Sequence, residues 1–328
     1  MPFLSKIFLI LLIHLFLLKS ALATVSNVEF KVWVESYKKK AFESGVSLQT
    51  LDLAFKNVKF LEKVIFYDRK QPEFFEDTIT YVSKRATSSK AKKARDLLKK
   101  NKNLFNEVEN KFKVEKEILL ALWGIETHFG KHVGKMDIIS SLATLSYDKR
   151  RSEFFSLQLL TLLKLIDKNL IDPGTLFGSW AGAYGNFQFM PTTISNYAID
   201  YDGNNKIELK SSLNDSVASA ANYINKIGWK KGQPCFYKVK LTKEIKKKYL
   251  NTSARSLSNK LKISKWKKKG VINYDGSELD GKLKAMLILP DGKPNSPVYL
   301  VFDNYEKILK WNRSLRFGIS VCTLAKMI

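Results

Sequence analysis

The chain has 328 residues, and its 56 lysines and arginines outnumber its 31 acidic residues, which gives a net charge of +25. The two cysteines, Cys235 and Cys322, exclude a disulfide-rich framework and a cysteine-rich metal site, and a single bridge between them stays open. The excess of positive charge indicates an anionic partner or surface, such as a carboxylate-bearing polymer. Nucleic acid is disfavoured because the lysines are spread along the chain and form no single basic arm.

The first 23 residues have the pattern of a cleavable export signal. Lys6 precedes an apolar run over 7–18, and small residues end the segment at Ala23. The apolar run is too short to span a bilayer comfortably, and no cysteine follows the small residues to accept a lipid. We therefore expect residues 1–23 to be removed and a soluble periplasmic protein without a stable membrane anchor to begin at Thr24.

Apolar residues at helical spacing predict that the first two thirds of the mature chain is helical. The predicted helices cover 27–45, 47–55, 76–85, 89–112, 113–130, 152–169 and 216–227. After Trp229, strands are predicted at 235–241, 283–289 and 298–302, and helices at 304–311 and 315–328. The predicted fold class is therefore α+β and mostly α. Its parts are a helical region at 24–230, a small α/β insert at 231–303, and C-terminal helices at 304–328 that pack back on the helical region.

Glu126 stands where helical spacing predicts apolar neighbours. Positions three, four and seven residues before it hold Trp123, Leu122 and Leu119, so its side chain falls on the stripe that should be buried. A carboxyl group held there loses hydration when it ionises, and its pKa rises toward the range in which it can donate a proton near neutral pH. The alternative is a glutamate at the edge of its stripe that reaches water from the last turn before Gly130.

A second unusual stretch, GSWAGAYGNFQFMP, covers residues 178–191 and combines glycines with aromatic residues. Glycines let a backbone approach a ligand closely, and aromatic faces suit the apolar sides of sugar rings. No Gly-Lys-Ser/Thr follows, which excludes a phosphate-binding loop. The alternative is a tight turn between helices whose aromatic side chains fill the core.

Together, WGIETHFG and SWAGAYGNFQFMP resemble the lytic murein transglycosylase B family. The resemblance extends over nearly the whole mature chain and in the family's order. Its further motifs are LATLSYDKRRSEFF at 142–155, SAANYINKIGW at 219–229 and ILKWNRS at 308–314. The resemblance implies a lysozyme-like helical fold that cleaves the MurNAc–GlcNAc β-1,4 bond of peptidoglycan glycan strands and leaves a 1,6-anhydro-MurNAc end.

The resemblance also assigns roles to individual residues. Glu126 matches the family's catalytic glutamate. The positions that match substrate-binding residues are Arg150, Arg151, Ser179, Gln188, Tyr223, Trp311 and Asn312. Trp311 is a departure, because the family often has a tyrosine there, and an indole cannot copy a hydroxyl. Asn186 and Phe187 also replace a more usual pair just before Gln188.

The chemistry of the residues fits a single acid and base. A hydrolase that retains or inverts configuration needs a second carboxyl group beside the bond, and the candidates, Asp137 and Asp148, lie in no evidently apolar setting. In a lytic transglycosylase, Glu126 donates a proton to the leaving oxygen and then takes one from the sugar's C6 hydroxyl. The rival hypotheses are a hydrolytic muramidase of the same fold and a non-catalytic peptidoglycan-binding protein.

No cofactor is expected to be required, but one loop has part of the pattern of a calcium site. Its candidate ligands, at alternate positions of an EF-hand loop, are Asp200, Asp202, Asn204, Lys206 and Glu208. Asn205 stands where such loops have glycine, and Ser211 stands where they have a bidentate glutamate. The alternative is a turn rich in aspartate and asparagine without an ion.

Overall fold

The computed structural model describes residues 27–70, 76–279, 281–293 and 295–328, so the predicted export signal at 1–23 lies outside the described residues. The described chain forms two compact units. The first contains 27–70, Gly134–Ala183 and Met190–Ser195, and the second contains 76–133, Tyr184–Phe189 and Asn196–Ile328. The helical region predicted at 24–230 is thus shared between two units, while the domain boundaries at 231 and 304 stay predictions.

Helices make up most of the described chain. In order they are α1 (27–43), α2 (Leu48–Phe55), α3 (Glu62–Arg69), α4 (Thr78–Arg85), α5 (Ser88–Lys100), α6 (Lys102–Phe112), α7 (Lys116–Thr127), α8 (Ile138–Tyr147), α9 (Ser152–Asp167), α10 (Pro191–Tyr197), α11 (Leu213–Lys226), α12 (Ile263–Lys268), α13 (Asp303–Trp311) and α14 (Leu315–Met327). Side-chain oxygens cap the starts of several of them, at Ser47, Asp77, Thr87, Asp137, Ser212 and Ser314. Within the described residues, no helix has both the length and the apolar character needed to cross a membrane.

The strands are short. They are β1 (Met136–Asp137), β2 (Phe177–Gly178), β3 (Phe236–Leu241), β4 (Leu261–Lys262), β5 (Val271–Asn273), β6 (Lys284–Ile288) and β7 (Val298–Val301). The first two pair with each other, and the other strands form one antiparallel sheet in the order β4-β6-β7-β3-β5. The three strands predicted after Trp229 correspond to β3, β6 and β7.

The first unit is organised around the packing of α8 against α9, with α2 and α3 added to this pair. Leu142 and Leu145 of α8 and Leu159 and Leu163 of α9 are fully buried between the helices. The other side of α9 is open, because Leu157 is 55% exposed. Helix α9 therefore has one buried face and one exposed face.

In the second unit, α7 is the central helix and packs against α5, α6, α11 and α14. Helix α14, at the end of the chain, makes the most extensive of these contacts with α7. A consecutive run of α7 residues, Leu119, Leu120, Ala121 and Leu122, is fully buried, so this helix is covered around its whole circumference. A helix enclosed in this way gives a rigid support for the residues at its end.

The sheet of the second unit has its own apolar core. Trp266 of α12 is fully buried, and its Nε1 donates to the carbonyl oxygen of Ala285 at 2.9 Å. Leu287 of β6 and Leu300 of β7 are register partners and are also fully buried. A disulfide bond joins Cys235, just before β3, to Cys322 of α14. The bridge that the sequence left open is therefore formed.

One predicted helix is wrong in its extent. The single helix expected at 89–112 is two helices, α5 and α6, which are separated at Asn101. The amide Nδ2 and the backbone N of Asn101 both donate to the carbonyl oxygen of Leu97, which ends the first helix. Helices α3, α8, α10 and α12 were not predicted from the sequence.

Candidate active site

Helix α7 places Glu126 in its last turn, one residue before the helix ends at Thr127. Leu122, one turn earlier, is fully buried, whereas Glu126 is half-buried. Its Oε1 accepts a hydrogen bond from the indole Nε1 of Trp311 at 2.9 Å. The carboxyl group therefore lies at the border of the core and is held by an aromatic side chain from the end of α13.

The chain leaves α7 through three consecutive left-handed residues, His128, Phe129 and Gly130, with φ of 53°, 60° and 80°. Two of them carry side chains, and this conformation costs about 1 kcal/mol or more for such residues. Thr127 holds the turn: the backbone N of Gly130 donates to its Oγ1 at 3.0 Å, and that Oγ1 donates to the backbone oxygen of Asn186 at 2.7 Å. The helix therefore stops three residues before the glycine predicted to end it.

Asn186 joins the end of α7 to two other segments of the second unit. Its Oδ1 accepts from Nε1 of Trp123 at 3.1 Å. Its Nδ2 donates to the carbonyl oxygens of Leu209 and Lys210, both at 3.3 Å, and to Oγ of Ser216 at 3.1 Å. In the sequence, Asn186 stands out only as a departure from the family's loop. A polar amide in a stretch of glycines and aromatic residues was the signal that it would be buried and fully bonded.

The glycine and aromatic segment passes from the first unit to the second between Ala183 and Tyr184. In its first part, Ser179 closes a turn, because its Oγ accepts from the backbone N of Ala183 at 2.9 Å. Gly182 has φ of 86°, and a Cβ there would lie 2.4 Å from Cδ2 of Leu142. This glycine therefore lets the turn pack against α8, which is a structural role and not an approach to a ligand.

The second part of the segment packs in the same manner. Tyr184, Phe187 and Phe189 are each only 3% exposed, so these aromatic side chains fill the core. Gln188 is half-buried with φ of 53°, and its Nε2 donates to the carbonyl oxygens of Val133 at 3.1 Å and Gly185 at 2.9 Å. Both amide donors are thus used to fix the side chain, and the remaining hydrogen-bonding atom of Gln188 is the acceptor Oε1.

Trp311 belongs to an aromatic stack, which we define as Tyr197, Tyr223 and Trp311. The ring of Tyr223 is 4.5 Å from that of Tyr197 and 5.2 Å from that of Trp311, both at an interplanar angle of 26°. The hydroxyl of Tyr223 donates to the carbonyl oxygen of Lys310 at 3.0 Å. Burial, and then the neighbouring Tyr197, raise the pKa of Tyr223 to about 12, so it stays a neutral donor. Asn312 follows at the end of α13 and is half-buried.

Arg150 and Arg151 lie in the first unit, at the connection from α8 to α9. Both bind Asp68 of α3, which is 1% exposed. Nε of Arg150 donates to Oδ2 of Asp68 at 2.7 Å, its NH2 nitrogen donates to the backbone oxygen of the same residue at 2.6 Å, and Arg151 donates to Oδ1. One buried carboxylate therefore fixes two guanidinium groups, and the cluster keeps a net positive charge. No motif or spacing in the sequence pointed to Asp68.

The predicted calcium loop gathers a different set of carboxylates from the one expected. Oxygen atoms of Asp200, Asp202 and Asp215 lie within 4.8 Å of one another. Asp215 of α11, which the sequence analysis missed, is fully buried. The pKa of Asp215 is raised above its usual value, because burial outweighs the opposing hydrogen bonds from the backbone N of Glu208 and of Tyr201.

The other predicted ligands of this loop bond to their neighbours. Nδ2 of Asn204 donates to Oε2 of Glu208 at 2.8 Å, and the hydroxyl of Ser211 donates to Oε1 of the same residue at 3.1 Å. The backbone N of Lys206 donates to Oδ1 of Asn204 at 2.8 Å. Asp200 closes the loop by accepting from the backbone N of Gly203, which is the bonding expected of a simple aspartate turn.

The second unit thus brings Glu126, Trp311 and Tyr223 into one chain of contacts. Gln188 follows Phe187, whose ring lies 6.2 Å from that of Trp311. Arg150, Arg151 and Ser179 belong to the first unit.

A helix-rich body with a half-buried glutamate at the end of its central helix places this protein in the lysozyme-like fold class, as the sequence predicts. The chain belongs to the Transglycosylase SLT domain family, which matches residues 29–326. The resemblance seen in the sequence motifs is thereby confirmed.

Individual relatives agree with this family. SltB3 from Pseudomonas aeruginosa, solved in complexes with NAG-NAM-pentapeptide and with NAG-anhNAM-pentapeptide, is 33% identical with a TM-score of 0.83, over 90% of this chain and 78% of SltB3. The Escherichia coli lytic transglycosylase Slt35 in complex with calcium is 27% identical with a TM-score of 0.73, over 90% of this chain and 91% of Slt35.

A third relative matches over a shorter length. Membrane-bound lytic murein transglycosylase B of Escherichia coli strain K12 is 42% identical over 120 residues, which are 36% of this chain and 33% of that protein. The match therefore spans about a third of the length of this curated relative.

Proposed function

We propose that the chain is a lytic transglycosylase that cleaves the MurNAc–GlcNAc β-1,4 bond of peptidoglycan and forms 1,6-anhydro-MurNAc. The observation that carries the proposal is the position of Glu126, half-buried at the end of an enclosed helix with Oε1 bonded to Trp311. Membership of the Transglycosylase SLT domain family supports it. The complexes of SltB3 with a NAG-NAM and a NAG-anhNAM glycopeptide support the same substrate class.

Glu126 acts twice in the proposed reaction. First, its proton passes to the glycosidic oxygen as the bond from that oxygen to C1 of MurNAc breaks, and the N-acetyl oxygen of the sugar supports the anomeric carbon. The carboxylate then takes the proton of the C6 hydroxyl while O6 bonds to C1, which closes the anhydro ring and restores the acid. The nucleophile is part of the substrate, so the protein needs only to hold it in place and exclude water.

The remaining matched residues bind the glycan in this proposal. Gln188 offers Oε1 as an acceptor from a fixed side chain, and Trp311 offers a sugar ring the aromatic face that its stacking on Tyr223 leaves open, while Tyr223 supports the indole. Asn312 and Ser179 contribute polar groups. Arg150 and Arg151 provide fixed positive charge for the acidic groups of the peptide stem, and Asp68 keeps them in place.

The reducing end of the product tests the proposed reaction. Purified sacculi are digested with the enzyme, and the masses of the soluble muropeptides are measured by mass spectrometry. We expect anhydro-muropeptides, which are lighter than the hydrolysed products by one water molecule. A product mixture with only hydrolysed reducing ends would instead establish the muramidase alternative.

The variant Glu126→Gln tests the assigned acid and base. It keeps the size of the side chain and loses the proton, so we expect the rate of turbidity loss of sacculi to fall by about 100-fold to 10,000-fold while binding to sacculi persists. Glu117→Gln, in the first turn of the same helix, is the matched control and should keep the wild-type rate. A wild-type protein that binds sacculi but releases no fragments would indicate the non-catalytic alternative.

We also propose that the loop of Asp200 and Asp202 binds calcium, with Asp215 as a third carboxylate. Three acidic oxygens within 4.8 Å, one of them from a fully buried side chain, fit a divalent cation, which would offset their mutual repulsion. The calcium complex of Slt35 supports the proposal.

The melting temperature tests this site without any measurement of activity. Calcium at a hundredfold excess over its dissociation constant should stabilise the protein by about 2.7 kcal/mol, and a chelator should remove that gain. The variant Asp202→Asn should lose the response, whereas Glu208→Gln should keep it, because Glu208 bonds to Asn204 and Ser211 instead. An equal response in the two variants would argue against this ligand set.

We propose, finally, that residues 1–23 direct the protein to the periplasm and are then removed by cleavage after Ala23. The export pattern of residues 1–23 supports this, and sequencing the N-terminus of the protein from a periplasmic fraction tests it. A mature chain that begins at Thr24 is expected. An uncleaved N-terminus in the membrane fraction would indicate a retained anchor.

A further inference from the structure

Trp311 donates a hydrogen bond directly to Glu126, a role that is separate from binding the glycan. The two residues are 185 positions apart, and the indole Nε1 donates to Oε1 of Glu126 at 2.9 Å. An indole N–H can only donate a hydrogen bond, whereas the tyrosine hydroxyl often found at this position of the family both donates and accepts. With tryptophan at position 311, Glu126 therefore has a partner that can donate a hydrogen bond but cannot accept one.

The position of the indole is fixed from several sides. Its ring stacks on Tyr223 at 5.2 Å between centroids. The rings of Phe189 and Phe187 meet it nearly edge-on, at 5.2 Å and 6.2 Å. Tyr223 is in turn held by Tyr197. Because these neighbours lock the ring, the N–H group is directed at the carboxyl group before any substrate binds, with little entropy left to lose.

We propose that Trp311 is a positioning residue that keeps Oε1 of Glu126 as a permanent acceptor and so assigns both proton transfers to Oε2. The inference rests on the proposed function and extends it to single atoms. A proton on Oε1 would make it a hydroxyl oxygen, which accepts the indole N–H less strongly than a carbonyl oxygen does, so the proton is favoured on Oε2. In the first step the O–H bond on Oε2 breaks as the glycosidic oxygen is protonated. In the second step Oε2 receives the proton of the C6 hydroxyl.

The same hydrogen bond distinguishes the two protonation states of Glu126. A donor bonds more strongly to a carboxylate than to a neutral acid, so Trp311 stabilises the Glu126 carboxylate that is left after the first proton transfer. Removal of the donor disfavours that form, and Glu126 should then hold its proton up to a higher pH.

Indole NMR tests the contact in the free protein and needs no substrate. The six tryptophans give six indole N–H cross-peaks, and the Trp311 peak is identified by its absence in Trp311→Phe. In the wild type this peak should move with pH as Glu126 titrates, and in Glu126→Gln the movement should be lost. Trp266, which donates to a backbone carbonyl, is the reference that should not move.

The pH dependence of the rate tests the consequence for catalysis. Trp311→Phe keeps an aromatic ring and loses the donor, so kcat should fall by about tenfold to a hundredfold, the loss of one hydrogen bond to a charged group. The alkaline limb of its rate profile, which reports loss of the catalytic proton, should move to higher pH. Trp33→Phe, on α1, is the matched control and should keep the wild-type rate and profile.

Two results would overturn the inference. One is a Trp311 peak that does not move with pH or that moves equally in Glu126→Gln. The other is an alkaline limb that Trp311→Phe leaves in place. The proposed function has its own test, because it fails if the wild type releases no anhydro-muropeptides, whatever the Trp311 peak does.

Discussion

At the scale of single residues, the functional groups of the second unit depend on one buried amide. Asn186 uses its oxygen for Trp123, three residues before Glu126, and its nitrogen for the segment at 209–216. Its backbone oxygen accepts from Thr127, the residue after Glu126. The end of α7 is thus fixed on both sides of Glu126 by one residue.

Replacement of Asn186 by leucine should therefore destabilise the protein strongly. The variant has similar volume but leaves the indole N–H of Trp123 and the backbone carbonyl of Lys210 without the amide, at a cost of about 1–3 kcal/mol in the free energy of unfolding. The carbonyl oxygen of Leu209 keeps its bonds from the backbone N of residue 186 and from Oγ of Ser216. Denaturation in urea measures the effect. Asn57→Leu, at an exposed position, is the control, and a difference of less than about 0.5 kcal/mol between the two variants would contradict the assigned role.

Local patterns predicted some of these residues and not others. Glu126 was conspicuous because its charge interrupts the apolar stripe of a helix. Such a stripe is formed by residues close together in the sequence, so it can be recognised without a structure. The partners of the site are distant in sequence: Trp311 is 185 positions from Glu126, and Asp68 is 82 from Arg150. Spacing along a chain carries no information on such pairs, so the hydrogen bond to Glu126 and the carboxylate between the arginines required a structure.

At the scale of elements, segments with a clear period were predictable, and strands of two or three residues were not. The helix at 152–169 and the strand at 235–241 each have enough residues to show a period, and they correspond to α9 and β3. By contrast, β4 has two residues and β5 has three, which is too few for alternation to appear. These strands form because β6 and β3 offer them edges to pair with.

The glycine and aromatic segment gives a prediction at this scale. Gly185 has φ of 79°, and a Cβ there would lie 2.4 Å from the carbonyl oxygen of Leu209, so Gly185→Ala should move the loop that carries Gln188. Gly276 is a matched control because it has φ of 84° with nothing within 4 Å of the added Cβ. Alanine at Gly276 should cost only about 1 kcal/mol for the left-handed backbone, and at Gly185 clearly more. Equal melting temperatures for the two variants would show that the close packing at Gly185 is unimportant.

At the scale of the whole molecule, the disulfide bond between Cys235 and Cys322 closes a loop across 87 residues of sequence separation. A crosslink of that length restricts the unfolded chain and is worth about 4 kcal/mol. The double variant Cys235→Ser, Cys322→Ser should therefore melt roughly 10 °C lower than the oxidised wild type. Dithiothreitol should lower the melting temperature of the wild type and leave that of the double variant unchanged. An unchanged wild type would mean that the bond adds little stability.

The path of the chain through the two compact units has a consequence for how the protein can change over evolution. The backbone crosses from one unit to the other between residues 70 and 76, at 133–134, again on each side of the short stretch Tyr184–Phe189, and at 195–196. Neither unit is a continuous piece of the gene. Recombination cannot exchange one for a homologous module with a single pair of breakpoints, and a frameshift before residue 134 removes sequence from both. The two units are therefore inherited together.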